Sequence, residues 1–236
     1  MITTVLFDLD GTLLPMDQDV FLGTYFKGLA TKLAPYGYEP KKLMDVVLSG
    51  TAAMIANNGE KTNEVVFWDL FTSRFGENSR NDGPTFEEFY LNEFQDARNV
   101  CGFNPRAAET VKKIKESGLR VALATNPLFP AIATESRIRW AGLSPDDFEF
   151  YTTYENVRYS KPNLGYYREI TEKLGVSPEE CLMVGNDVRD DMVVVDIGMK
   201  VFLLTDWLIN KDGIDISRYP NGNFDELMDY NRNLSI

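Results

Sequence analysis

The chain has 236 residues, enough for one sizeable core domain with a modest insertion and too few for several large domains. Its 24 Lys and Arg against 36 Asp and Glu leave a net charge of −12, which argues against a protein that holds nucleic acid or an anionic membrane by counterion release. Histidine is absent, which excludes a Ser-His-Asp or Cys-His triad, a His-ligated zinc and an imidazole base, so acid–base work falls to carboxylates, Lys, Tyr or Cys.

In chain order, the first element is an apolar, β-branched run, Thr3–Phe7, that reads as a buried strand ending at Asp8. The opening residues hold neither a basic stretch nor a long apolar run, so no signal peptide is expected. Nothing approaches a membrane span in length, and Cys101 and Cys181 read as reduced thiols; a cytoplasmic protein is expected. Four helical stretches follow, about Asp17–Ala34, Pro40–Ala56, Thr62–Phe75 and Thr85–Gln95, separated by turns rich in Gly, Asn, Pro and Asp. Trp68, Phe71 and Phe75 at helical spacing predict a core for this segment. Met16, Asp17, Phe21 and Tyr25, beside the first strand, are candidates to touch a ligand, with packing the better-supported role for the aromatic pair.

Strands and helices then alternate. The pattern predicts helix Pro105–Ser117, strand Arg120–Ala124, a weaker strand Phe148–Thr152, helix Asn163–Leu174, strand Cys181–Val184, helix Asp190–Ile197 and strand Lys200–Leu204. The tail from Thr205 carries turn signals and a short helix at Phe224–Tyr230, with no role assigned to it. Such alternation predicts an α/β fold, a Rossmann-like parallel sheet with helices on both faces. Residues 1–15 and 100–236 would form that core and residues 16–99 an inserted all-helical domain. Ligands of such sheets bind beyond the carboxyl ends of the strands, where the polar turns would meet.

The sharpest of these turns is Asp8-Leu9-Asp10-Gly11-Thr12. Residues two apart in an extended backbone point the same way, so Asp8 and Asp10 can face one cleft. Two ionised carboxylates that close call for a cation, and a hard divalent ion such as Mg²⁺ suits oxygen ligands. Gly11 lets the chain turn out of the strand. Thr125 closes the Arg120–Ala124 strand, where its hydroxyl and the Asn126 amide could donate to a phosphate oxygen. Lys161 precedes Pro162 and a helix start. In Gly185-Asn186-Asp187-Val188-Arg189-Asp190-Asp191, Asp187 and Asp191 stand four apart and would share one face of a helix.

These four stretches, in this order, resemble the motifs of the haloacid dehalogenase-like hydrolase superfamily. The similarity spans nearly the whole chain, and the insertion resembles the C1-type cap of phosphoglycolate phosphatase-like members. The resemblance implies a phosphatase for a small phosphate ester. Asp8 would be the nucleophile and Asp10 the general acid and base, also offering its backbone carbonyl to the metal. Thr125, Asn126 and Lys161 would bind the phosphoryl group, with Gly11 and Thr12 completing the turn around it. Mg²⁺ would be held by Asp8, Asp10, Asp187 and Asp191, with Asp191 direct, water-bridged or paired with Lys161. A phosphomutase shares these motifs, and a catalytically silent binding protein could keep the fold. A haloacid dehalogenase is disfavoured, because those relatives lack the second carboxylate present here as Asp10.

Overall fold

The computed structural model describes residues 1–234. Strands β1 (Thr4–Phe7), β2 (Arg120–Leu123), β3 (Cys181–Gly185), β4 (Lys200–Leu204) and β5 (Asn221–Gly222) form a wholly parallel sheet in the order β2-β1-β3-β4-β5. Helices α1 (Gln18–Leu33), α2 (Pro40–Ile55), α3 (Asn63–Phe75) and α4 (Gly83–Leu91) follow β1 as an insertion. Helices α5 (Pro105–Glu116), α6 (Ala131–Trp140), α7 (Leu164–Leu174) and α8 (Phe224–Leu234) accompany the sheet.

Period-two alternation divides the strand side chains between two cores. Val5, Phe7, Leu123 and Val184 join one core that continues through Phe21, Tyr25, Phe71 and Phe89 of the insertion. Leu6, Ala122, Met183 and Leu203 face the other, against Tyr166, Tyr167 and Ile170 of α7. Trp68 and Phe71 are buried with Phe75 packed against them, as their spacing predicts. Both cysteines are free thiols, and among the described residues no helix is long and apolar enough to cross a membrane.

Four local expectations need correction. Phe148–Thr152 runs beside β2, with Leu123 N–H donating to Phe150 C=O at 2.8 Å, yet it reaches only a single bridge at Tyr151. Asn156 ends it by donating to the Tyr151 carbonyl and accepting from the Thr153 amide, so side-chain bonds displace the ladder. The helix expected at Asp190–Ile197 is a 3₁₀ segment, Met192–Ile197. There the Asp187 side chain takes the Arg189 and Asp190 amides, and three β-branched valines follow. The helix expected to reach Gln95 stops at Leu91, where Asn92 leaves helical geometry and its side chain bonds the Glu88 carbonyl. Finally, α6 has no counterpart among the expected elements, because it is buried nearly all round and shows no amphipathic period.

A buried asparagine fastens the insertion to the loops beyond the sheet. Asn63 opens α3 and is fully buried; its side-chain amide lies 3.1 Å from Ser160 Oγ and 3.3 Å from the carbonyls of Pro127 and Tyr159. Its backbone N–H donates to Val157 C=O at 3.1 Å, and Ser160 Oγ donates to Met54 C=O of α2 at 3.1 Å.

Candidate active site

The chain moves from β1 to β2 on one side and then places β3 on the other side of β1. Loops leaving the carboxyl ends of β1 and β3 therefore diverge and open a crevice. Asp8 and Asp10 follow β1, Thr125 and Asn126 follow β2, and Asp187 and Asp191 follow β3. With Lys161, all seven line one cleft of about 500 Å³. Gly11 and Thr12, the other two residues singled out, do not line it but shape the turn.

Gly11 has φ +82°, and a Cβ there would stand 2.3 Å from Asn186 Nδ2, so both backbone conformation and space require glycine. The Gly11 and Thr12 amides donate to Leu14 and Leu9 carbonyls at 2.8 and 3.2 Å and are not free for an anion. The neighbouring N–H groups of Leu9 and Asp10 have no acceptor among the described residues. Thr12 Oγ1 lies 3.0 Å from both Asp8 Oδ2 and Asn186 Oδ1; its one proton serves one of them at a time.

Lys161 is the electrostatic centre. Its Nζ is 2.7 Å from Asp8 Oδ1 and 2.6 Å from Asp191 Oδ1, and the side chain is 2% exposed. Burial disfavours the ammonium, but Asp191 and Asp8 outweigh it and hold Lys161 well above the usual lysine range. Asp191 Oδ2 accepts from the Asp187 amide at 3.0 Å, so both its oxygens are engaged. Of the arrangements open to Asp191, the pair with Lys161 is the one adopted. Gly185 makes room for it, since a Cβ there would stand 2.1 Å from Asp191 Oδ2.

Asp10 is held by a residue that sequence reasoning missed. Arg137 of α6 is fully buried, and its Nη1 donates to Asp10 Oδ2 in an ion pair. The guanidinium also donates to Ala133 C=O and Thr134 Oγ1 and lies 4.6 Å over the Phe129 ring. Asp10 Oδ1 is buried without a hydrogen-bond partner. Burial raises the Asp10 carboxyl above the usual range, with Arg137 opposing the shift.

The Thr125 turn is anchored from beneath. Its carbonyl accepts from Thr152 Oγ1 at 2.6 Å and Tyr166 Oη at 2.7 Å, which leaves the Thr125 hydroxyl and Asn126 N–H uncommitted among the described residues. Asn126 Oδ1 accepts from the Lys161 amide at 3.3 Å, joining the two loops.

Among the described residues no three His, Cys, Asp or Glu side chains form a ready metal cage. Mg²⁺ does not require such a cage, since it uses one or two carboxylates, keeps waters and leaves room for a phosphate oxygen. Asp187 Oδ1 accepts from two amides while Oδ2 takes no hydrogen bond. The donor set of Asp8, Asp187 and the Asp10 carbonyl therefore fits a hard cation.

Met16 and Phe21 also line the cleft, whereas Asp17 is spent capping α1 and Tyr25 packs deeper in the insertion. The tail contributes Ile209–Ile214, strapped to the β3 loop by Ile209 N–H on Asn186 C=O and by Asn186 Nδ2 on Trp207 C=O. Arg137 carried no sequence signal, Asn186 stood out only as part of the acidic motif and this tail loop only as a turn, because each owes its place to long-range pairing.

Comparison with known proteins agrees with this fold. Pyrophosphatase PpaX of Bacillus cereus (strain AH820) is 26% identical over 190 residues, 80% of this chain and 76% of that protein. A 2-haloacid dehalogenase from Pseudomonas syringae pv. Tomato DC3000 superposes with a TM-score of 0.66 at 19% identity, covering 99% of this chain and 100% of its own. A predicted phosphoglycolate phosphatase from Haemophilus somnus 129pt gives 0.56 at 17% identity, with 98% of both chains covered. The family model for haloacid dehalogenase-like hydrolases matches residues 2–193, from the first strand through the acidic loop that closes the cleft, and the chain belongs to that family.

Proposed function

We propose that the protein is a Mg²⁺-dependent phosphatase that hydrolyses a small phosphorylated metabolite through a phospho-aspartate on Asp8. The observation that carries this reading is the buried contact of Asp8 with Lys161 at one end of the sheet, beside the uncommitted Thr125 hydroxyl. Relatives named as phosphatase and pyrophosphatase support it. So does the second carboxylate, Asp10. Residues 16–99 would act as the cap that excludes water from the cleft.

Lys161 balances the charge of Asp8 and of the incoming phosphoryl group, so that like charges can approach. The Thr125 hydroxyl and the Leu9, Asp10 and Asn126 amides orient phosphoryl oxygens for in-line attack. An Asp8 oxygen bonds to phosphorus as the ester oxygen leaves, and the protonated Asp10 carboxyl gives that oxygen its proton. Water then attacks the phospho-aspartate and loses a proton to Asp10, which releases phosphate and restores both carboxyl groups. Mg²⁺, held by Asp8, Asp187 and the Asp10 carbonyl, would supply charge stabilisation at the phosphoryl oxygens.

A screen of phosphorylated metabolites with Mg²⁺ or with EDTA tests this. Phosphate should be released in Mg²⁺ alone, and Asp187→Ala should raise the half-activating Mg²⁺ concentration by roughly tenfold or more. Release from no compound would end the phosphatase reading, and an unmoved titration would end the metal role of Asp187.

Arg137 acts here by positioning. It pins Asp10 Oδ2 and leaves Oδ1 for the proton. Arg137→Met should lower kcat/KM for an alkyl phosphate by about 10²-fold, within the span of general acid catalysis. For p-nitrophenyl phosphate, whose phenolate leaves unprotonated, the loss should be much smaller. Arg137→Lys should recover only part, lacking the planar fork. Equal losses on both substrates would reduce Arg137 to a packing residue.

A further inference from the structure

A second cavity of about 160 Å³ lies between the insertion and the loops after β2, and Leu22, Leu128 and Phe129 line both it and the catalytic cleft. The contents of the two differ. The cleft carries Asp, Lys and Asn side chains beside its apolar residues, while no charged residue lines the second cavity, whose walls include Phe67, Trp68, Phe86 and Val47. Its few polar groups are partly paired within the wall. Tyr25 and Tyr90 hydroxyls lie 3.2 Å apart, and Thr51 Oγ1 donates to Val47 C=O at 3.0 Å. Burial pushes the Tyr25 phenol up to about 12, as a dry site would.

A polyol or carboxylate would give up most of its hydration here for the few hydroxyls of Tyr25, Tyr90 and Tyr154, too few to replace the water it sheds. An apolar ring meets no such cost, and cavities of about 150 Å³ lined by apolar side chains stay dry and take benzene. Phe129 is fixed by Arg137 and by edge contacts with Phe21 and Tyr25. Leu22 is 37% exposed and is the most open of the three residues in the shared wall.

We infer that this cavity takes a ring-sized apolar end of the ester's alcohol, so that the favoured substrates are phosphate monoesters of arylalkyl alcohols rather than of polyols. The inference rests on the phosphoryl site proposed above. It is tested by binding, independent of turnover, using the Mg²⁺-loaded protein, benzylphosphonate, methylphosphonate and toluene.

Benzylphosphonate should bind at least about tenfold more tightly than methylphosphonate, the discrimination that even small apolar groups give in such pockets. Toluene alone should raise the melting temperature and should displace benzylphosphonate but not methylphosphonate. Thr51→Phe, which fills the cavity, should bring the ratio of the two affinities towards one. Equal affinities in the wild type, or no effect of toluene, would overturn the inference. The toluene arm needs no variant, and it stands if neither phosphonate binds. Toluene binding without ester hydrolysis would leave the cavity in place and remove the phosphatase reading; hydrolysis of polyol and arylalkyl esters at equal kcat/KM would do the reverse.

Discussion

Asp8→Asn should abolish phosphate release while leaving the fold intact. The amide keeps the shape of the carboxylate and can still accept from Lys161, which retains its contact with Asp191 at 2.6 Å. What it loses is the anionic oxygen that bonds to phosphorus. Removing a covalent nucleophile costs on the order of 10⁴- to 10⁶-fold in turnover, equivalent to about 5–8 kcal/mol of barrier. Single-turnover labelling with a ³²P-phosphorylated substrate should trap acid-stable label on the wild type and none on the variant. Circular dichroism and thermal melts should nearly superpose. Wild-type turnover by purified Asp8→Asn would move the nucleophile elsewhere.

Lys161→Met should damage stability and catalysis together. The ammonium lies between two buried carboxylates, Asp8 and Asp191, and its removal leaves both uncompensated. Breaking a buried ion pair from one side costs about 3–5 kcal/mol, and urea unfolding should show a loss of that size. Turnover should fall by about 10²- to 10³-fold or more, since a preorganised charge at the phosphoryl group is lost as well. Adding Asp191→Asn to the Lys161→Met protein removes one stranded charge. The double variant should regain part of the stability and none of the activity. If activity returned with stability, Lys161 would be a structural residue and not part of the phosphoryl site.

What the sequence disclosed depended on the range over which each feature is decided. The strands Thr4–Phe7, Arg120–Leu123, Cys181–Gly185 and Lys200–Leu204 are short apolar runs bounded by polar turns, and local pattern identifies them within a residue or so. The turns that end three of them bring Asp8, Thr125 and Asp187 to one crevice, as parallel strands must. Arg137 was invisible because Arg139, two positions on in the same helix, is the same residue type and is exposed. Only the tertiary position of α6 decides which of the two is buried against Asp10. Asp191 was ambiguous for a similar reason. Four residues from Asp187, it suggested a shared helical face; one helical turn does join them, Asp191 N–H donating to Asp187 C=O at 2.9 Å, and the Asp191 carboxylate is taken by Lys161 and the Asp187 amide. The tail loop at Ile209–Ile214 reads as turn composition alone, and its seat over the cleft follows from backbone pairing with Asn186.

The clasp made by Asn63 bears on how a reactant reaches the chemistry. Its bonds end on Pro127 and Ser160, the residues next to Asn126 and Lys161 in the chain. Lifting the insertion away would strand those groups, at about 1–3 kcal/mol for each polar atom left without a partner. It would also pull directly on the loops that aim the ammonium and the Asn126 amide. If the insertion acts as a cap, admission and readiness would be joined: opening it would disturb the charge centre, and closing it would restore the aim of both loops.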